Sequence, residues 1–265
     1  MTAQTYGADA VCATTGLNLV PSSGRRMFRV ARTQFGPLQP PPRVKTANPV
    51  TWSRWDTPGR TIYGSSTAEG AFVEVLEYIT PDPPAVAMSD LFDDVEDSDD
   101  LTFDSQIQRE LPLCGAMAPR SISKGWRAVR NLYELVLPGN GWFVDVTGAG
   151  SISAIEEQLQ MLLTTCGVDR LTLSELTSSS EDMKQLTTGI ATWLRESVVL
   201  SDGSRPHGVV YPSKWGTTVQ NWAMWLRRAD DGTGSDAVWI HEASDIGRHT
   251  QPFVEVATNR RMRTY

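Results

Sequence analysis

The stretch TIYGSSTAEGAFVEVLEYI, residues 61–79, constrains the fold more than any other. TIYGSS has the β-branched and aromatic content of a short strand. Ser66 and Glu69 follow at the spacing of a capping box, which starts a helix. Ala68, Ala71, Phe72, Val75, Leu76 and Ile79 then fall on one stripe at helical spacing. The predicted unit is a strand that turns directly into an amphipathic helix. At about 100° per residue Glu77 points opposite the apolar stripe, Glu69 serves the cap, and Glu74 lies at the flank, where a side chain can reach a cleft.

Around this unit the periodicity predicts strands at 27–32 (MFRVAR), 142–146 (WFVDV), 207–213 (HGVVYPS), 221–226 (NWAMWL) and 236–242 (DAVWIHE). Ser153 with Glu156 and Ser178 with Glu181 predict two helix starts, the second helix running to Glu196. PLQPPPR, residues 37–43, is a loop, because consecutive prolines remove backbone donors and fix φ. The order of strands, helices and strands predicts an α+β fold rather than alternating βαβ units. Residues 1–24 are small and polar without a sustained period and read as a loose N-terminal arm. Residues 25–265 then form one domain, with an acidic loop insertion near 82–106.

The net charge is −7, which argues against DNA or RNA as the main partner, since duplex binding is dominated by phosphate neutralisation. The charge is unevenly placed. Residues 25–60 hold Arg25, Arg26, Arg29, Arg32, Arg43, Lys45, Arg54 and Arg60 against Asp56 alone, whereas residues 61–108 hold twelve Asp and Glu and no Lys or Arg. Such asymmetry suits a small anionic ligand held by the basic segment, although two solvated faces of opposite sign give the same pattern. No apolar run of about 18 residues is present to span a membrane. The start lacks the basic and apolar regions of a signal peptide, and a cytoplasmic location is expected.

Several common templates fail. The chain has no GxGxxG after a strand, no phosphate-binding GxxxxGK[ST], no HExxH and no GxSxG. His207, His241 and His249 lie apart, and Cys12, Cys114 and Cys166 have no Cys or His at ligand spacing, so neither a metal nor a disulfide framework is expected. The nine tryptophans, Trp52, Trp55, Trp215, Trp222 and Trp225 among them, read as core or rim packing.

WSRWDTPGRTIYGSSTAEGAFVEVLEY, together with HGVVYPSKWGTTVQNWAMW far downstream, resembles the RES-domain family. That family carries an Arg in a GRF- or GRW-like turn, a Tyr on a following strand, and a Glu in the next helix, matched by Arg54, Tyr63 and Glu74. A later GI.YPS element, an Asn and a short apolar strand are matched by Gly208, Tyr211, Pro212, Ser213, Asn221 and Ala223. The resemblance covers residues 27–80 and 185–226. Ser53 stands where the family usually has Gly, and the acidic stretch 90–104 has no counterpart in it.

The resemblance implies a fold like that of the ADP-ribosyltransferase toxins, with central mixed or antiparallel sheets flanked by helices. It also implies NAD as substrate, no metal, and a toxin of a toxin–antitoxin pair whose partner is a helix-turn-helix antitoxin; homo-oligomerisation stays open. Cleavage of the N-glycosidic bond between nicotinamide and ribose passes through an oxocarbenium-like state. Nicotinamide leaves without protonation, so one carboxylate suffices where ordinary glycosidases use two. The implied catalytic set is Glu74, Tyr63, Arg54 and Ser213. Glu74 would stabilise the developing charge, Arg54 would grip a phosphate, Tyr63 would stack on nicotinamide or ribose, and Ser213 would position Glu74 or a substrate hydroxyl. Arg54, Tyr63, Arg29 and Asn221 would bind NAD. Water, phosphate or a protein stays open as acceptor, so mono-ADP-ribosylation of a protein is the neighbouring reading. A non-catalytic NAD or ADP-ribose binding module is the alternative of another class.

Overall fold

The computed structural model describes residues 10–77, 79, 120–178 and 180–265. The acidic insertion expected near 82–106 lies outside them. The strands are β1 (Ala10–Val11), β2 (Asn18–Pro21), β3 (Arg26–Arg32), β4 (Thr61–Ser65), β5 (Ser121–Ile122), β6 (Arg130–Val136), β7 (Trp142–Asp145), β8 (Gly208–Ser213), β9 (Gly216–Trp225), β10 (Trp239–Asp245) and β11 (Arg263–Thr264). The described α-helices are α1 (Ala68–Leu76), α2 (Lys124–Ala128), α3 (Ala149–Gln158), α4 (Gln160–Thr165), α5 (Leu173–Thr177), α6 (Glu181–Glu196), α7 (Arg227–Asp230) and α8 (Gln251–Asn259). Nine strands form one sheet in the order β1-β2-β7-β8-β9-β4-β3-β6-β10. Within it only β7 and β8 run parallel, which makes the fold α+β around a large mixed sheet. No helix among the described residues is long and apolar enough to cross a membrane.

The sheet is continuous in name and nearly broken at one seam. β4 pairs with β9 along its whole length and β3 with β6 along its whole length, but β3 and β4 share the single pair Phe28–Ser65. Gly64 sits at this vertex because a Cβ there would lie 2.4 Å from the Met27 Cγ and 2.7 Å from the Phe28 carbonyl oxygen. One buried cluster, with Met27, Ile62, Tyr133, Leu135, Phe143, Val210, Trp222 and Met224, takes side chains from both sides of the seam and, among the described residues, none from a helix. The two halves of the sheet therefore face each other across that cluster. Their outer faces are covered separately. On one half Val144, Val209, Ala223 and Trp225 pack with Ile155, Leu163, Leu186, Ile190 and Leu194 of α3, α4 and α6. On the other, Val30 packs with Phe72 and Leu76 of α1 and Phe253 and Val256 of α8.

Several boundaries differ from those expected, for identifiable reasons. Residues 10–24 are not part of a loose arm. β1 and β2 extend the sheet beside β7, and Leu17, Leu19 and Val20 are buried. The cap of α1 is Thr67, whose side chain accepts from the Gly70 amide at 2.9 Å, while Ser66 pairs with Gln220 on β9. α3 begins at Ala149 rather than at Ser153. The Ser151 amide donates to the Asn18 side chain from β2, a distant cap that local spacing does not reveal. Ser180, not Ser178, precedes α6, and a complete capping box stands instead at Thr172 and Glu175.

Candidate active site

The seam between β3 and β4 opens into a cleft of about 590 Å³. Arg29 on β3, Tyr63 on β4, Glu74 on α1, Asn221 on β9 and Arg54 on the 52–57 turn all line it. Ser213, at the end of β8, does not line the cavity; it stands behind Glu74. These residues meet because β8, β9 and β4 are neighbours in the sheet and α1 leaves directly from β4.

Glu74 is held through one oxygen. Its Oε1 accepts from the Ser213 hydroxyl at 2.7 Å and from the Asn221 side-chain amide at 2.8 Å, and Oε2 has no hydrogen bond among the described residues. Both donors are neutral. They orient the carboxylate without cancelling its charge. Ser213, buried itself, also accepts from the Trp215 amide at 3.2 Å, which fixes its hydroxyl proton toward Glu74. Asn221, expected to touch NAD, spends its amide on Glu74, and its buried Oδ1 has no partner among the described residues.

The opposite wall is cationic. The Arg29 guanidinium donates from Nη1 to the Tyr63 carbonyl at 2.7 Å, bridging the place where β3 and β4 cease to pair. Burial pulls the Arg29 guanidinium down to about 10, against the pull of the Tyr63 and Asp56 side chains, and its buried Nε has no partner among the described residues. Arg54 reaches the Thr177 carbonyl with Nη1 at 2.6 Å and stacks over the Tyr211 ring at 5.3 Å. The turn that carries it needs no glycine, since Ser53 is not among the residues with positive φ. Tyr63 donates its hydroxyl proton to Asp56 at 2.8 Å.

Several other residues line the cleft that were not singled out as site residues from sequence. Lys184 of α6 reaches the Val50 carbonyl at 2.9 Å, and Trp52 and Tyr211 supply apolar surface. Lys214 pairs with Glu77, and Trp215 beside it lies between Lys214 and Arg260, with the Arg260 guanidinium 4.1 Å from the ring centre. Glu77 corrects the helical-wheel expectation that it faces solvent. Residues three apart share a helix face, so turning Glu74 to the cleft turns Glu77 to its rim as well. The buried Asp56 was visible in sequence only as the sole acid in the basic window 25–60.

Comparison of the chain with protein-family models, with curated proteins and with solved structures finds no match in any of the three.

Proposed function

We propose that the protein cleaves NAD between nicotinamide and ribose, on a fold of the ADP-ribosyltransferase kind, as a RES-type toxin held in check by a helix-turn-helix antitoxin. The observation that carries this reading is Glu74, whose Oε1 is fixed by two neutral donors while Oε2 has no partner among the described residues, in a cleft whose facing wall is basic. A preorganised carboxylate stabilises positive charge that develops on the ribose, and it costs no reorganisation at the moment of reaction. Arg29, Arg54 and Lys184 suit the pyrophosphate, which is anionic at every working pH. The volume falls within the roughly 300–1,000 Å³ of small-molecule sites.

The test is to incubate purified protein with NAD and resolve nicotinamide, ADP-ribose, phosphorylated ADP-ribose and protein-linked ADP-ribose. Nicotinamide release is expected, and the second product identifies the acceptor. NAD binding without any release would leave the binding module in place of the enzyme.

A further inference from the structure

The turn that carries Arg54 rests on one carboxylate. Asp56, 3 % exposed, accepts from the Tyr63 hydroxyl on Oδ1 at 2.8 Å, and on Oδ2 from the Ser53 amide at 3.0 Å and the Arg43 Nε at 2.8 Å. The Tyr63 oxygen in turn accepts from the Trp55 amide at 3.2 Å. The two amides so gripped belong to the residues on either side of Arg54. Trp55, fully buried, is held further by the Trp225 indole, which donates to its carbonyl at 3.1 Å.

We propose that Asp56 is a positioning residue of the NAD-cleaving site, acting through Tyr63 and the Ser53 and Trp55 amides to aim Arg54, and that Tyr63 offers substrate its ring and no proton. The inference rests on the NAD-cleavage reading. A phenol has one proton, and here Asp56 takes it. Burial and the neighbouring Asp56 carboxylate hold that phenol well above its ordinary range, so it stays neutral and cannot serve as a base. Arg54 itself touches neither Asp56 nor Tyr63 by hydrogen bond; its guanidinium reaches Thr177 and the Tyr211 ring. Its aim depends on the backbone from which it springs. The aspartate therefore acts at one remove, through where the cation stands.

The experiment compares Asp56→Asn, Tyr63→Phe and the double variant by steady-state nicotinamide release from NAD, with hydrogen exchange of the Ser53 and Trp55 amides. Each single variant should raise KM on the order of tenfold to a hundredfold with little change in kcat, as expected when a charge-assisted contact to substrate is lost. The double variant should lose clearly less than the product of the two singles, because both changes cut the Tyr63–Asp56 link. Exchange at the Trp55 amide should quicken in Tyr63→Phe, which removes its acceptor, and at the Ser53 amide in Asp56→Asn, which removes the charge it donates to. Losses that multiply in the double variant, or a fall in kcat at unchanged KM, would overturn the proposal. If Asp56→Asn fails to fold, Tyr63→Phe decides alone, since it removes one oxygen and keeps the ring. If the parent protein releases no nicotinamide, the reaction reading fails by itself, and the amides still decide the positioning claim: unchanged protection in Tyr63→Phe sinks it.

Discussion

The β4 wall of the cleft fixes its groups from beneath, through Asp56 and the backbone of the 52–57 turn, whereas the α1 wall fixes Glu74 from the side, through Ser213 and Asn221. The first arrangement is local, with Asp56 and Tyr63 seven residues apart; the second spans 139 and 147 residues. They also differ in charge. The one carboxylate under the β4 wall is spent on a cation, a phenol and an amide, so what that wall shows the cleft is Arg29 and Arg54. The α1 wall shows a carboxylate oriented by neutral donors. On the proposed reaction, the first wall would hold the pyrophosphate throughout and the second would meet the positive charge that develops on the ribose. A substitution on the first should appear in binding and one on the second in turnover.

The sharpest way to break that contrast is Glu74→Gln. Gln keeps the shape and an acceptor for Ser213 and Asn221, so the side chain stays where it is while its charge goes. Nicotinamide release should fall by about 10²–10³ with NAD affinity nearly that of the parent, because the positive charge moves from the nicotinamide ring onto the ribose only in the transition state. Single-turnover release and calorimetric NAD binding check both halves. A folded variant that releases nicotinamide at the parental rate would remove Glu74 from the mechanism.

Arg54→Ala should produce the converse pattern, and a smaller one. A charge-assisted hydrogen bond contributes about 1.5–3 kcal/mol, or roughly tenfold to a hundredfold, and it should appear in KM with kcat largely kept. Expression of the parent should lower cellular NAD, and this variant should relieve it. A fall in kcat at unchanged KM would mean that the basic wall also acts on the transition state.

Legibility in the sequence followed the same division between local and distant. The strand and helix at 61–76 were readable because both are specified within one stretch; only the cap was misplaced, by one residue, since Ser66 is drawn to Gln220 on β9. β2, whose sequence is NLVP, shows no period and reads locally as arm; its pairing with β7 is set more than a hundred residues away. β6 and α8 were not predicted. β6 is buried by strands on both sides and alternates only weakly, while α8 starts on Thr250 with Pro252 in its first turn and no capping box. Arg54, Tyr63, Glu74 and Ser213 were named from a family resemblance and not from pattern alone. Pattern does not place Lys184 in the cleft or bring the Thr177 carbonyl to Arg54, because those contacts depend on how α5 and α6 pack. Asp56 did leave a signal. A lone acid among eight cations that also stands seven residues before a strand tyrosine is a candidate for a buried, fully used carboxylate.

The smallest effect tests the rim. The helical wheel expects Glu69→Gln and Glu77→Gln to be equally silent, but the structure separates them. Glu69 lies in the first turn of α1, where its charge favours the helix dipole by about 0.3–1 kcal/mol, so its loss should lower stability slightly and leave KM alone. Glu77 neutralises Lys214 at the cleft edge with both side chains partly exposed, at 22 % and 30 %, so the pair adds at most about 1 kcal/mol of stability. Removing the Glu77 charge leaves Lys214 as an uncompensated cation facing an anionic substrate. KM for NAD should therefore fall a few-fold at about 0.01 M salt, where the screening length is roughly 30 Å, and return to the parental value near 1 M, where it is about 3 Å. Nicotinamide release across that salt range, measured for both variants, makes the comparison. A Glu77→Gln protein whose turnover drops as far as that of Glu74→Gln would show that the charge serving the ribose is shared along α1, and the division of labour between the two walls would have to be redrawn.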